Sequence, residues 1–234
     1  MAQRILITGA TSGIGNALAR RLGGRAELVL AGRRSADDAA GLLPAGATYV
    51  RADQADPERC AATILAVLDE LGWDGLDSAV LNAGLGRAVD PREEPAEALR
   101  ETLDADLMAP IAIAQALLPR LEAAGGKLVL VGSTARRGAS GFASYAAAKA
   151  GLHGFARALA EEWRDRVAVQ VIHPGPTATG MHARAGHDPG WIGRAFARPE
   201  TMAALMEEAM ATPRAMVTLS FARFLFRRAP GDRA

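Results

Sequence analysis

The stretch from Arg4 to Gly24 constrains the fold of this chain more than any other. Arg4-Ile5-Leu6-Ile7-Thr8 is an apolar run of strand length, and Gly9-Ala10-Thr11-Ser12-Gly13-Ile14-Gly15 is a glycine-rich turn. Asn16-Ala17-Leu18-Ala19-Arg20-Arg21-Leu22 then has helical character and stops at Gly23-Gly24. Strand, glycine turn and helix in that order are the context that raises a glycine motif to a dinucleotide site. Glycines let the backbone turn sharply and approach a pyrophosphate, whose charge rests on the helix N-terminus. The spacing is Gly-x-x-x-Gly-x-Gly, not Gly-x-Gly-x-x-Gly, and a plain glycine turn would account for this segment taken alone.

A second constellation narrows the choice. In the Ala-rich run Gly141-Phe142-Ala143-Ser144-Tyr145-Ala146-Ala147-Ala148-Lys149-Ala150-Gly151, Tyr145 and Lys149 are four residues apart. That spacing puts both side chains on one helical face, one turn apart. A phenol of pKa about 10 is a poor acid or base near neutrality, and a neighbouring ammonium moves it toward the working range. Ser133 lies twelve residues upstream of Tyr145, at the end of the apolar run Lys127-Leu128-Val129-Leu130-Val131-Gly132. A hydroxyl at a strand end, facing a Tyr-Lys helix, is suited to holding a carbonyl oxygen. Each motif alone has a bland reading, a solvated helix face or a simple turn; together they do not.

With these residues in place the chain resembles the short-chain dehydrogenase/reductase family, over roughly residues 4 to 205. The resemblance rests on Thr8 to Gly15, Asn82-Ala83-Gly84, Ser133, Tyr145-x-x-x-Lys149 and Pro174-Gly175, in the family's order. It implies Tyr145 as general acid/base, Lys149 as the group that holds the nicotinamide ribose and depresses the Tyr pKa, and Ser133 as the orienter of the substrate carbonyl. Asn82-Ala83-Gly84 would border the cofactor and steady the central strands. Gly9, Ser12, Gly13, Ile14 and Gly15 at one end, and Pro174, Gly175, Thr177 and Thr179 at the other, would complete the cofactor site. The family's Asn on the long helix after the fourth strand, which bends that helix and holds a relay water, aligns with Asp106. A carboxylate there can still hold the water but favours the ammonium of Lys149. A shifted pH optimum is the first consequence and loss of activity the second.

The order of elements fits an α/β fold, a single doubly wound Rossmann-type parallel sheet of about seven strands with helices on both faces, formed by residues 1–234 as one domain. Strands are expected at 4–8, 27–31, 47–51, 76–81, 127–132, 167–173 and 215–219. Helices are expected at 14–22, 35–43, 57–71, 95–123, 143–164, 200–211 and 219–228. Pro119 is expected to end or kink the fourth helix and Gly125-Gly126 to close it. Residues 176–199, rich in Gly, Pro and His, form an irregular insertion, which in the resembled family is the substrate lid.

Cofactor choice turns on Leu28-Val29-Leu30-Ala31-Gly32-Arg33-Arg34. A carboxylate at this strand end would bond the adenosine ribose and repel a further phosphate. Here Gly32 is followed by two guanidiniums able to bind a phosphate bidentately, which favours NADP(H) over NAD(H). Solvated loop charges are the alternative. Asp53-Gln54 resembles the adenine-contacting position, although an Asp at a strand exit is also a common helix cap.

The remaining candidates are weaker. His182, His187 and Trp191 lie in the insertion; two His five residues apart with no carboxylate or thiol partner do not make a metal site, so none is expected. Arg136 and Arg137 could attract an acidic substrate, but a surface pair explains them better. His173 reads as a strand-end residue with a satisfied imidazole. The segment 219–228 places Phe221, Phe224, Leu225 and Arg228 at helical spacing, for docking on the sheet or a subunit neighbour, or less readily on a membrane surface. Ala146, Ala147, Ala150, Gly151 and Gly154 suit close helix packing, in a homodimer or homotetramer or within one subunit. The charge of +1, from 27 basic and 26 acidic residues, gives no case for nucleic acid. Cys60, the one cysteine, reads as a packing residue. The N-terminus enters a strand without a signal peptide, and no apolar run reaches spanning length, so a cytoplasmic location is the default. Two functions follow: an NADP(H)-dependent carbonyl reductase or alcohol dehydrogenase acting on a small molecule, or a catalytically impaired NADP-binding sensor or scaffold motivated by Asp106.

Overall fold

In β1 (Gln3–Thr8) the residues Ile5, Leu6, Ile7 and Thr8 are all buried, so both faces of the strand are covered. That continuous apolar run, instead of alternation, is what a parallel sheet sandwiched between helices requires. The computed structural model describes residues 2–181, 185–186 and 190–219, without the side chains of 191 and 192. It places β1, β2 (Ala26–Gly32), β3 (Thr48–Arg51), β4 (Ser78–Leu81), β5 (Lys127–Val131), β6 (Ala168–Pro174) and β7 (Met216–Leu219) in one sheet of seven strands. All pairings are parallel, in the order β3-β2-β1-β4-β5-β6-β7. The Rossmann-type sheet expected from the sequence is therefore observed. The strand order reverses between β1 and β4, and that switch opens a crevice at the strand C-termini.

Helices α1 (Gly13–Leu22) and α7 (Pro199–Met210) pack together on one face of the sheet. On the other, α3 (Pro57–Glu70) packs against α5 (Ala109–Ala124), and α6 (Ala143–Glu162) lies against β6. A short α2 (Ala36–Ala40) follows β2, capped by the Ser35 hydroxyl, which accepts from the Asp38 N–H. Two cores follow from this layering, one centred on Ile64, Leu117, Leu121 and Leu128, the other on Ile7, Leu18, Leu30 and Met206. Cys60 packs in the first, where burial and then Asp53 and Asp56 push its thiol up to about 12.

The helix expected at 95–123 departs from the expectation in two ways. It does not end at Pro119 but continues to Ala124, where Gly125, at φ 57°, closes it as expected. Gln115, whose carbonyl loses its partner at Pro119, is on the exposed side with Pro119 itself, so water can take that bond. The irregularity lies earlier, where α4 (Ala96–Leu103) joins α5 through a π-turn at Asp104–Met108. The continuous helix from Ala96 to Ala124 is, by length and composition, apolar enough to span a membrane, contrary to expectation. Its apolar residues Ile113, Leu117 and Leu121 are fully buried in the core against α3. The helix proposed for 219–228 falls outside the described residues, apart from Leu219, which ends β7.

Candidate active site

The glycine turn follows β1 as a tight cradle. Gly9 has φ 68°, and a Cβ on it would lie 2.7 Å from the Cα of Ala83, so only glycine fits. Gly15 lies directly against the Asn82 amide and the Gly9 carbonyl, with no room for a side chain. Ser12 caps α1 in an extended conformation with no side-chain capping bond, leaving N–H groups of the first turn facing the crevice. Thr8 ties the neighbouring strand in: its hydroxyl accepts from the N–H of Asn82 at 3.0 Å and of Ala83 at 3.1 Å. The Asn82 side-chain amide donates to the Thr8 carbonyl at 3.1 Å, a tie between the central strands of the kind the resemblance implied.

A cleft of about 730 Å³ runs from this cradle along the strand ends. Gly9, Ser12, Gly13, Ile14, Arg33, Arg34, Asp53, Gln54, Asn82, Ala83 and Gly84 all line it, as do Ser133, Tyr145, Lys149, Pro174, Gly175, Thr177 and Thr179. Gly15 supports the cradle from below, and Asp106 lies behind Gly84, in contact with Lys149. Arg33 and Arg34 are exposed. Asp53 bonds the Ala55 N–H, while the cap of α3 is Asp56. Gln54 is 7% exposed, and neither its amide oxygen nor its amide nitrogen has a partner among the described residues. A buried, unsatisfied amide beside a glycine cradle and two guanidiniums fits a phosphorylated dinucleotide.

On α6, Tyr145 and Lys149 are buried on one face with Leu152 and Ala156, the i, i+4 relation expected. The Ser133 hydroxyl accepts from the Ala135 N–H at 3.1 Å and lies close enough to the Tyr145 phenol to lower its pKa. Lys149 Nζ lies 3.0 Å from Asp106 Oδ1, donates to the Val131 carbonyl at 3.2 Å, and sits 5.7 Å from the Tyr145 ring centre. Asp106 is fully buried, and both its oxygens accept from the Leu85 N–H, at 3.2 and 3.1 Å. Two of the three Lys149 donors are thus taken internally and one is left.

The electrostatics differ from the simple Tyr-Lys expectation. Burial raises the Tyr145 phenol above its ordinary value, and the Asp106 charge adds to this. Lys149 and the Ser133 hydroxyl oppose the rise without cancelling it. Burial works against the Lys149 ammonium, but Asp106 and Tyr145 outweigh it and hold its pKa above the ordinary value. Burial likewise raises Asp106 against the pull of Lys149 and the Leu85 N–H. Burial therefore keeps the phenol in its protonated form near neutrality.

Other residues separate from the site. His173 is fully buried, with Nε2 3.1 Å from Nδ1 of His153, its ring packed on Gly132, and burial first, then Arg136, lowers its pKa to about 3. It is a neutral structural residue behind Ser133, but its Nδ1 is buried with no hydrogen-bond partner among the described residues, so the imidazole is not fully satisfied, contrary to the sequence reading. Thr134, Ala135 and Gly138 line the cleft, but Arg136 and Arg137 between them do not. His182 and His187 lie outside the described residues, as does the side chain of Trp191. The π-turn at Asp104–Met108 lies where the resemblance implied a helix bend at Asp106, while sequence reasoning missed the lining residues Leu85, Gly86, Glu101, Phe142, Met181 and Phe196. Only Phe142, one turn before Tyr145 at the start of its helix, had a readable signal.

Comparison with known proteins agrees with this geometry. The model of the short chain dehydrogenase family matches residues 3–190. The chain is 35% identical over 221 residues to a cis-4-hydroxycyclohexanecarboxylate dehydrogenase of Sinomonas cyclohexanicum, covering 86% of this chain and 87% of that protein. It is 34% identical over 191 residues to a cyclic-di-GMP-binding biofilm dispersal mediator protein of Escherichia coli, covering 78% and 76%. A short chain dehydrogenase of Burkholderia cenocepacia, solved in complex with NADP, superposes with a TM-score of 0.81 at 28% identity, over 94% of this chain and 96% of that one.

Proposed function

The chain belongs to the short-chain dehydrogenase family, and from that membership we propose an NADP(H)-dependent oxidoreductase that moves a hydride between nicotinamide and a carbonyl or secondary alcohol, with Tyr145 as general acid/base. The observation that carries this reading is the convergence of Ser133, Tyr145 and Lys149 in the same cleft as the glycine cradle. The preference for NADP(H) rests on Arg33 and Arg34 at the end of β2, and the NADP-bound Burkholderia structure supports it.

When bound, the dinucleotide supplies hydride chemistry at its nicotinamide. The chain's own residues do the rest. The first-turn N–H groups of α1 would take the pyrophosphate charge, and the guanidiniums of Arg33 and Arg34 would take the ribose phosphate. Gln54, with both amide atoms unsatisfied, would bond the adenine. The remaining Lys149 donor is available to a ribose hydroxyl. Ser133 orients the substrate oxygen, and the Tyr145 phenol donates its proton to that oxygen as negative charge develops there. Burial keeps the phenol protonated, the form that gives a proton to the substrate oxygen when a carbonyl is reduced. Asp106 takes the role of a proton-relay partner that anchors Lys149 directly.

The test is oxidation of NADPH and NADH with a panel of ketones, aldehydes and quinones. Turnover with NADPH above NADH is expected, and no turnover with any carbonyl would remove the oxidoreductase reading. A second reading, an NADP-binding sensor without turnover, draws on the buried Asp106–Lys149 pair and on the cyclic-di-GMP-binding relative. It predicts NADPH binding and nucleotide binding with no carbonyl reduced. For assembly we favour a homodimer or homotetramer through α6, where Ala147, Ala150, Gly151 and Gly154 are exposed, near Leu107 of the π-turn. Light scattering on the eluted protein checks it.

A further inference from the structure

The hydride-transfer reading uses one wall of the cleft and leaves another unexplained. Around Tyr145 lies a third apolar cluster, separate from the two main cores, in which Phe142 meets the Tyr145 ring edge-on at 6.4 Å between centroids. Ala135, Ala139 and Met181 pack on that pair. Three segments are stitched together here by backbone bonds: the Ala88 N–H donates to the Ala185 carbonyl at 3.2 Å, and the Val89 N–H to the Gly141 carbonyl at 3.1 Å. Met181 sits over Gly86, close enough that a Cβ on Gly86 would lie 3.1 Å from its sulfur. Both residues line the cleft.

The charges lining the cleft are distributed unevenly. Among the described residues its cations are Arg33, Arg34 and Lys149. Arg33 and Arg34 follow β2, three strand positions from β5 and so about 14 Å from the Ser133 end. Lys149 is neutralised by Asp106. Glu101, also in the lining, is a carboxylate already paired with Arg87. A carboxylate on the substrate would therefore leave water at the Tyr145 end with no unpaired cation among the described lining residues to meet it, which is costly, whereas hydrocarbon would be covered by Phe142 and Met181.

We propose that this cluster is the substrate subsite for an uncharged alicyclic or aromatic ketone or aldehyde, and that Met181, seated on Gly86, sets the size it accepts. The proposal rests on the oxidoreductase reading for its chemistry but not for its binding test. Calorimetric titration of the Tyr145→Phe protein saturated with NADP measures substrate binding where turnover is blocked. Cyclohexanone is compared with 4-oxocyclohexanecarboxylate, and acetophenone with 4-acetylbenzoate. The neutral member of each pair should bind about 10-fold or more tightly, and kcat/KM of the unaltered enzyme should follow the same order. Met181→Ala should shift relative kcat/KM toward 2-acetylnaphthalene over cyclohexanone by roughly 10-fold or more, while Met181→Leu, of similar volume, should leave the ratio near that of the unaltered enzyme. Equal or tighter binding of the carboxylates, or an unchanged ratio in Met181→Ala, overturns the proposal. Neutral ketones that bind but never consume NADPH would leave the subsite standing and remove the hydride-transfer reading. Reduction confined to the carboxylates would do the reverse.

Discussion

The two ends of the cleft each present cations, under opposite conditions. At one end Arg33 and Arg34 stand in solvent after β2. At the other Lys149 is 3% exposed and is held by an Asp106 that is fully buried. Solvent screens the first pair, so its side chains contribute little until a ligand arrives with charge to match. The second pair has given up its hydration, so each charge depends on the other whether or not a ligand is bound. One end is built for affinity and can be altered without disturbing the fold. The other ties catalysis to stability.

The sharpest way to break this distinction is to remove the reacting hydroxyl alone. Tyr145→Phe keeps the ring that packs on Phe142, so the fold and NADPH affinity should be nearly unchanged. Turnover should fall by roughly a hundredfold to ten-thousandfold, the usual contribution of a general acid. Fluorescence titration of NADPH beside a steady-state assay checks both halves, and near-native turnover would remove Tyr145 from the mechanism.

The buried pair should reveal itself in stability. Asp106→Ala strands the Lys149 ammonium and the Leu85 N–H, and should lower the unfolding free energy by about 3–5 kcal/mol. Urea unfolding measures it. Combining Asp106→Leu with Lys149→Met removes both charges and should recover most of the loss, because the desolvation cost disappears with the attraction. If the double variant is as unstable as Asp106→Ala, the site needs the charges for more than their mutual pairing.

At the exposed end the expected losses concern ligand only. Replacing Arg33 and Arg34 by Ala should weaken NADPH by about 1.5–3 kcal/mol for each charge-assisted bond lost, leave NADH nearly unaffected and leave the urea midpoint in place. Equal weakening of both cofactors would make the arginines structural, and a native preference for NADH would overturn the cofactor assignment.

The same contrast governs how much could be read from the sequence. The cradle was legible because Gly9 and Gly15 lie where backbone meets backbone, a requirement that only one residue type meets. Tyr145 and Lys149 were legible because a four-residue spacing fixes a shared face on any helix. The parallel sheet was legible from runs such as Ile5 to Thr8, buried on both sides. The π-turn was not legible in its own residues, since one extra residue in a helical turn leaves no mark on the pattern of Asp104 to Met108, and only the resemblance implied a bend at Asp106. Nor was the raised Tyr145 pKa, because proximity to Lys149 is readable from spacing but full burial is a property of the packed site. Pro119 misled for a related reason: whether a proline breaks a helix depends on whether water reaches the orphaned carbonyl. Met181 and Gly86 meet across ninety-five residues of chain, a distance over which no local signal operates.

The smallest expected effect isolates charge from packing at the buried end. Asp106→Asn is isosteric, and an amide oxygen in the place of Oδ1 can still accept from Lys149 and from the Leu85 N–H, so the protein should fold and turn over. What disappears is a negative charge that raises the Tyr145 pKa. That pKa should fall, and the direction of its effect on rate is fixed by the proton each reaction needs. Alcohol oxidation requires the phenolate, so its rising limb should move to lower pH. Carbonyl reduction requires the phenol, so its falling limb should move to lower pH as well, because one group governs both. Lys149 keeps the Val131 carbonyl as a second acceptor, which supports its ammonium through this range. Superimposable pH profiles of kcat/KM for the two proteins would place Asp106 outside the titration of the phenol and reduce its role to anchoring the lysine. A move to higher pH would mean that the charge on Lys149, not the one on Asp106, had been lost.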